Sequence, residues 1–139
     1  MFTVQILTPE KALPLIEAEH VTLPAVDGEL GIRTGHAPVV TLLKAGKVFI
    51  KHGSQANHTY AVRGGVAQMV RNELKIISQA VADGDEVSET TLAKRLEALL
   101  SAPYADDHAK MDAKAEAAWL ATQLQAAGKT VPDLSRLGL

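Results

Sequence analysis

The residue types of this chain are divided unevenly along its length, and that division constrains the fold more than any single motif does. All six Ile, ten of the twelve Val and eight of the ten Gly lie at or before residue 84. Residues 85–139 contain 12 Ala, against 10 Ala in the longer first part. Val and Ile favour pleated strands, whereas Ala is the best helix former. The sequence therefore predicts a β domain at residues 1–84 and an α domain at residues 85–139.

Composition and charge exclude several classes of protein. The 139 residues suffice for one ordinary domain or two small ones, and the lack of Cys excludes disulfide frameworks and thiolate metal sites. The net charge of −2 argues against a nucleic-acid binder. No apolar run approaches the roughly 18 residues of a membrane span, so we expect no direct membrane insertion. Apolar alternation starts at the N-terminus, so we expect no targeting peptide ahead of the fold.

Short apolar segments separated by turn signals fill the first part of the chain. They lie at residues 2–7, 18–23, 39–43, 47–52, 58–63, 66–70 and 73–78. Several alternate with a period of two, and Pro, Asp-Gly or Gly-Gly separates many of them. Short strands in this pattern predict a sandwich or barrel. Because no helix-length segment separates the strands, we expect no parallel pairing.

Two helices are predicted in the second part. Ser88 is the expected N-cap of the first helix, and Pro103 ends it. The second begins around Tyr104 to Asp106, with Asp106 and Asp107 at its positive end, and runs to Ala127, where Gly128 supplies the C-terminal cap. The expected apolar positions are Leu92, Leu96, Leu99 and Leu100, then Met111, Ala115, Ala118, Trp119, Leu120, Leu124 and Ala127. The segment after them, residues 131–139, is expected to be irregular.

The fold class predicted is α+β, with an N-terminal antiparallel β-sandwich followed by a C-terminal antiparallel α-helical hairpin. Most facing residues of the second helix are small, which lets two helices approach closely. Isolated helices of this length are marginal in water, so the hairpin must pack on the sandwich or on another protein. A hairpin that depends on a partner for stability can change position when the partner changes.

No constellation of residues in the sequence predicts an active site. None of the five His has an orienting partner that is evident in the sequence. His52 and His58 flank one hairpin turn, but no carboxylate stands beside them in the sequence, so a metal site is not favoured. The Gly-rich stretch at residues 28–35 lacks the spacing of a nucleotide-binding loop. We therefore expect an interaction module, not an enzyme, with no catalytic residue, metal or cofactor.

Two blocks of sequence resemble the epsilon subunit of F-type ATP synthases. The first block is VTLPAVDGELGI at residues 21–32, followed by HAPVVT at residues 36–41 and by Gly46. The second is YAVRGGV at residues 60–66, followed by Val70 and Asn72. Each motif is short, but they occur in the family's order. With the Ala-rich C-terminal part they extend the resemblance over nearly the whole chain.

The resemblance implies a ten-stranded β-sandwich followed by two helices, in a non-catalytic subunit of the central rotor stalk. Such a subunit binds the gamma subunit and the membrane-embedded ring of c subunits, and it couples proton-driven rotation to ATP synthesis. In many bacteria the hairpin also extends toward the catalytic head of alpha and beta subunits and inhibits ATP hydrolysis. The expected location is peripheral, at the cytoplasmic face of a bacterial inner membrane. The alternative is a generic β-sandwich adaptor or ligand-binding module outside the ATP synthase.

The resemblance also implies which residues contact the c ring. The family's stretch between its Gly-Glu-Leu-Gly-Ile and His-Ala-Pro motifs faces the ring, and we expect it to form a loop. In this chain the ring-contacting residues are then Glu29, Leu30, Gly31, Ile32, Arg33 and His36. One sandwich face and the hairpin are expected to share the contact with gamma, without single residues being assigned.

The sequence departs from the family pattern at three places. Many members have Leu-Pro or Tyr-Pro where this chain has Arg33-Thr34, which adds a charge at the expected ring interface. Members that bind ATP carry Ile/Leu-Asp-x-x-Arg-Ala in the first C-terminal helix, whereas residues 92–97 read LAKRLE, so we expect no nucleotide binding. Inhibitory hairpins are often rich in basic residues along the second helix. This one has Lys110 and Lys114 among four acidic residues, so we expect weak or no inhibition.

Overall fold

The computed structural model describes residues 1–54, 56–137 and 139. In the described residues, eight strands precede two helices. The strands are β1 Phe2–Leu7, β2 Ile16–Ala18, β3 His20–Ala25, β4 Gly28–Arg33, β5 Val39–Lys51, β6 His58–Val70, β7 Glu73–Ile77 and β8 Val81–Asp83. The helices are α1 Glu89–Ser101 and α2 Asp107–Ala126, with short 3-10 turns at Gly84–Glu86 and Ser135–Leu137. The predicted order of β-rich and helical parts is confirmed.

Two long strands build the sandwich, because each of them belongs to both layers. Residues 39–43 of β5 pair with residues 65–69 of β6, and this half of β6 also pairs with β7. Residues 45–50 of β5 pair with residues 58–63 of β6, beside β3 and β8. The first layer therefore contains β2, β1, β7, the second half of β6 and the first half of β5. The second layer contains β8, the first half of β6, the second half of β5, then β3 and β4. Five segments per layer account for the ten strands that the family resemblance implies.

The passage between the layers occurs at Gly64 and Gly65 of β6. Both have positive φ angles, +72° and +123°, in the left-handed region that residues with side chains rarely adopt. A Cβ on Gly65 would lie 1.9 Å from the carbonyl oxygen of Ile77. Glycine is therefore required here by backbone conformation and by the close approach of β7.

The strands place their alternating apolar residues between the layers. The buried cluster is formed by Phe2, Val4, Ile6, Ala18, Val21, Leu23, Ile32, Leu43, Val48, Ile50, Val62, Ala67, Met69, Leu74 and Ile76. Both layers contribute to it, as the period-two pattern predicts. The predicted sandwich is confirmed.

One pairing contradicts the expectation that all strands are antiparallel. β1 runs parallel to β7, with partners from Thr3↔Glu73 to Leu7↔Ile77. A parallel pair requires a long connection, and in this chain strands β2 to β6 supply it in place of a crossover helix. We expected no parallel pairing because no helix-length segment separates the strands, and that prediction was wrong for β1 and β7.

The helix ends lie where the capping signals predict. The Ser88 hydroxyl accepts a hydrogen bond from the Thr91 backbone N–H, and the Asp106 carboxylate accepts one from that of Ala109. Gly128 follows α2 with a φ of +72°. The predicted N-cap Ser88, the predicted start of the second helix and the C-terminal glycine are thus confirmed, because local capping geometry is determined by residues a few positions apart.

The buried face of α2 is only partly as predicted. Leu120 and Leu124 pack against Leu92 and Leu96 of α1. Met111 and Ala115 are exposed, so the prediction that they lie on the apolar face of the helix was wrong. The residues buried in this part of α2 are Ala113 and Ala117. The predicted set combined two faces of α2, because this helix packs against α1 on one side and against β5 and β6 on another. The segment expected to be irregular also contributes, since Val131, Leu134 and Leu137 pack on the hairpin core.

Replacing Gly65 tests the passage between the layers. Gly65→Ala should lower the free energy of unfolding by about 3 kcal/mol, since it adds a steric overlap to the strain of a positive φ. Gly28→Ala is the matched control, because Gly28 has a φ of +128° but open space where its Cβ would stand. Gly28→Ala should lower the free energy of unfolding, measured in urea, by about 1–2 kcal/mol. Equal losses for the two variants would contradict the steric account.

Candidate subunit-interaction surfaces

The segment predicted to contact a partner as a loop is mostly a strand. Residues 28–33 form β4, which pairs antiparallel with β3 and is the edge strand of the second layer. Glu29, Gly31 and Arg33 are exposed, whereas Leu30 is half-buried and Ile32 is fully buried in the core. The loop prediction was wrong because three nearby glycines were interpreted as turn signals. Of the three, Gly31 lies in regular strand conformation, and only Gly28 and Gly35 have positive φ.

Residues 34–38 are the true loop, and it is tied to the other layer. The Gly35 backbone N–H donates a hydrogen bond of 2.7 Å to the side-chain oxygen of Asn72. Asn72 lies in the tight turn between β6 and β7 with a φ of +60°, and its carbonyl accepts from the Thr3 N–H. His36 is half-buried in this loop. Asn72 therefore holds the β4–β5 connection in place, a role that sequence reasoning missed because the partners are 37 residues apart.

The outer face of the first layer carries a continuous apolar row. Leu42 lies opposite Val66, Val66 opposite Ile77, and Ile77 opposite Leu7, so four neighbouring strands each contribute one side chain. Leu42 is 60% exposed and Ile77 is 51% exposed, and Val40 beside them is 67% exposed. We call these five residues the apolar row. Contiguous exposed apolar side chains of this kind mark an interaction surface.

The outer face of the second layer is covered by the hairpin, mainly through α2. Ala61 of β6 is fully buried although it points away from the sandwich core. The Arg63 guanidinium lies 3.2 Å from the Glu116 carboxylate of α2, and the Arg95 guanidinium of α1 lies 4.0 Å from the same carboxylate. Glu116 therefore connects the sandwich to both helices. In this structure the hairpin is folded down on the sandwich.

The junction between sandwich and hairpin is held by a histidine between two carboxylates. His58 Nε2 lies 2.7 Å from Asp83, and its Nδ1 lies 3.7 Å from Asp85. The prediction that no carboxylate stands near His58 was therefore wrong, because β8 brings Asp83 beside β6. The two carboxylates face different ring nitrogens, and Asp83 is the one within hydrogen-bond distance. Burial raises the pKa of the neighbouring Tyr60, and these carboxylates raise it further.

A double-mutant cycle on Arg63 and Glu116 tests how the hairpin is held. Because both side chains are about one-third exposed, the coupling free energy between Arg63→Gln and Glu116→Gln should be about 0.5–1 kcal/mol in urea unfolding. Asp112→Asn is the control, since its ion pair with His108 is solvent-exposed and lies within α2. A coupling indistinguishable from zero would show that this ion pair does not hold the hairpin.

Comparisons with known proteins agree with this architecture. Residues 1–84 match the family described as ATP synthase, Delta/Epsilon chain, beta-sandwich domain. The chain is 34% identical to the ATP synthase epsilon chain of a Cyanothece species over 134 residues, covering 93% of this chain and 96% of the relative. It is 32% identical to that of Allorhizobium ampelinum over 96 residues, covering 69% of this chain and 71% of the relative.

Solved structures with the same fold come from mitochondrial ATP synthases. A chain of the Euglena gracilis assembly of OSCP, F1 and c-ring superposes with a TM-score of 0.74 at 20% identity, covering 89% of this chain and 79% of that chain. A chain of the Tetrahymena thermophila central stalk and c-ring superposes with a TM-score of 0.58 at 15% identity, covering 89% and 94%. Among the described helices, none is both long and apolar enough to cross a membrane.

Proposed function

The chain belongs to the epsilon-subunit family of F-type ATP synthases and is a central-stalk subunit, and we propose that its sandwich transmits rotation between the gamma subunit and the c ring. The observation that carries the proposal is the division of the exposed sandwich surface into two unlike parts. The first layer presents the apolar row, and the second layer presents the charged edge strand β4. A coupling element needs two separate surfaces of this kind, one for each partner.

We assign the gamma contact to the apolar row. Its side chains come from four adjacent strands of a rigid sheet, so they form a flat surface whose shape does not depend on loop conformation. Val40 at the border of the apolar row lies opposite Gln68, and Gln68 lies opposite Lys75, so polar side chains flank the row on this side. An apolar centre with a polar border is the usual anatomy of a stable protein interface.

Polar substitutions in the apolar row should weaken binding to gamma. Leu42→Gln combined with Ile77→Gln removes the burial of two large apolar side chains and should raise the Kd for isolated gamma by at least about tenfold. Met111→Gln is the control, because Met111 is 67% exposed and lies on the hairpin away from this face. Unchanged affinity of the double variant, measured by calorimetry, would place the gamma contact elsewhere.

We assign the c-ring contact to the exposed residues of the segment from Glu29 to His36. Glu29 and Arg33 point to the same side of β4 and lie about 13 Å apart along the strand. One acidic and one basic group at this separation can each pair with a polar group on the ring. Leu30 and Ile32 point inward and would support this edge through the core.

Charge removal at the edge strand should reduce coupling. Deleting residues 29–36 would remove most of the edge strand β4 together with the buried Ile32, so point variants are the appropriate test. Glu29→Ala with Arg33→Ala should lower proton pumping per ATP hydrolysed in reconstituted vesicles by about twofold or more, because two contacts with the ring are lost. Lys94→Ala with Glu97→Ala on α1 is the charge-matched control. Full pumping in the first variant would refute the assignment.

We propose that the hairpin reaches the alpha and beta subunits only weakly and is a poor inhibitor of ATP hydrolysis. In α2, Lys110 and Lys114 stand among acidic residues, and the second half of the helix is nearly uncharged. The resemblance implies that inhibitory hairpins are often basic along this helix, and a helix with this charge balance gains little from charge complementarity with a partner. The ion pair between Arg63 of the sandwich and Glu116 of α2 also favours the folded-down position.

Removing the hairpin tests this regulatory proposal. An assembled enzyme whose chain lacks residues 87–139 should hydrolyse ATP at a rate within about twofold of the intact enzyme, since a weakly bound inhibitor contributes little free energy. Co-purification of the shortened chain with gamma is the control for assembly. A several-fold rise in hydrolysis rate would contradict the proposal.

The proposed role needs neither cofactor nor active site, and it places the chain peripherally at the cytoplasmic face of a bacterial inner membrane, held by gamma and the c ring. An adaptor outside the ATP synthase is not favoured, because the family match and the full-length relative both point to the synthase.

A further inference from the structure

Three basic side chains form one cross-strand row on the outer face of the second layer. His20 of β3 lies opposite Arg33 of β4 on one side and opposite Lys51 of β5 on the other. Directly opposed side chains in antiparallel strands have Cβ atoms about 5 Å apart, so the three groups lie side by side within roughly 10 Å. We call them the basic row.

The basic row is the wall of an open cleft of about 390 Å³, which Glu19 and Thr34 also line. In the described part of the chain, neither Arg33 nor Lys51 nor His20 has a carboxylate within 4.0 Å. The Glu19 carboxylate is directed toward Gly53, where its oxygen would lie 3.5 Å from an added Cβ. Arg33 and Lys51 are thus two cations of one cleft that have no paired carboxylate, and an anion bound between them would relieve their mutual repulsion.

Gly31 leaves space next to the cleft for the side chain of His20. A Cβ at this position would lie 3.0 Å from His20 Nε2, so the imidazole lies over the bare backbone of β4. The absence of a side chain at Gly31 therefore leaves room for the His20 imidazole beside the cleft. Arg33 and Thr34, which form one of the three departures from the family pattern, both line the cleft.

We propose that this cleft binds a phosphate group. The guanidinium of Arg33 matches two phosphate oxygens at once, Lys51 adds a point charge, and the hydroxyl of Thr34 can donate a further hydrogen bond. A cleft of this volume is larger than a phosphate ion, so it also has room for the group to which the phosphate is attached. The phosphate is that of a soluble anion or of a lipid headgroup. This inference does not depend on the proposed coupling role, since binding is a property of the chain alone.

Titration of the full-length isolated chain tests the proposal. Backbone amide NMR signals are followed with inorganic phosphate as one probe, and co-flotation is measured with vesicles of phosphatidylcholine, with and without phosphatidylglycerol, as the other. Shifts confined to the basic row with phosphate identify a soluble anion. Flotation only with phosphatidylglycerol identifies the lipid headgroup. Either result supports the proposal.

Charge-matched variants distinguish specific binding at the basic row from nonspecific electrostatic attraction. Arg33→Gln with Lys51→Gln should weaken binding by about tenfold or more, whereas Lys44→Gln with Lys94→Gln changes net charge equally and should weaken it by less than about twofold. Equal loss in both pairs would overturn the proposal, as would no binding of either probe. The proposal would also be overturned if polyglutamate bound as tightly as the phosphate probe and lost affinity equally in the Arg33 and Lys51 variant. The site would then recognise carboxylates on a protein. If the unsubstituted chain binds phosphate through the basic row while Glu29→Ala with Arg33→Ala leaves coupling unchanged, only the proposed function is rejected.

Discussion

The bend of β5 and β6 between the two layers is the constraint on which the rest of the structure depends. Only because β6 turns at Gly64 and Gly65, with β7 against its backbone, do two 13-residue strands serve both layers. The bend creates two outer faces at fixed relative orientation. The covalent continuity of both strands joins these faces, so a torque applied to one layer reaches the other without crossing a flexible linker.

The two outer faces are used differently. The second layer carries the hairpin, fixed by the Arg63–Glu116 ion pair and by the close packing of Gly84 against the end of α2, where a Cβ would lie 2.6 Å from the Ala126 carbonyl oxygen. The first layer keeps Leu42 and Ile77 exposed. An isolated protein gains nothing from leaving large apolar side chains in water, so the contrast between the faces agrees with a subunit that is incomplete without its partner.

What the sequence predicts correctly is local, and what it misses is set by partners far along the chain. The caps at Ser88 and Asp106 depend on residues three positions away, and the alternation of β1 is determined by period alone. The parallel pairing of β1 with β7, the Asp83 partner of His58 and the Asn72 anchor of the β4–β5 loop all join distant residues. The ring-contact prediction combined local glycine signals with a resemblance, and it could not tell that Ile32 points inward, because side-chain direction follows from pairing with β3.

The central claim is that the sandwich contacts its two partners through different layers while the hairpin stays folded down. Hydrogen exchange of the full chain, measured alone and in the rotor assembled with gamma and the c ring, tests this claim most directly. The account predicts new protection in residues 39–43, in β7 and in β4, with the amides of α2 unchanged. New protection confined to α1 and α2, with β4 and β7 exchanging as in the free chain, would contradict it.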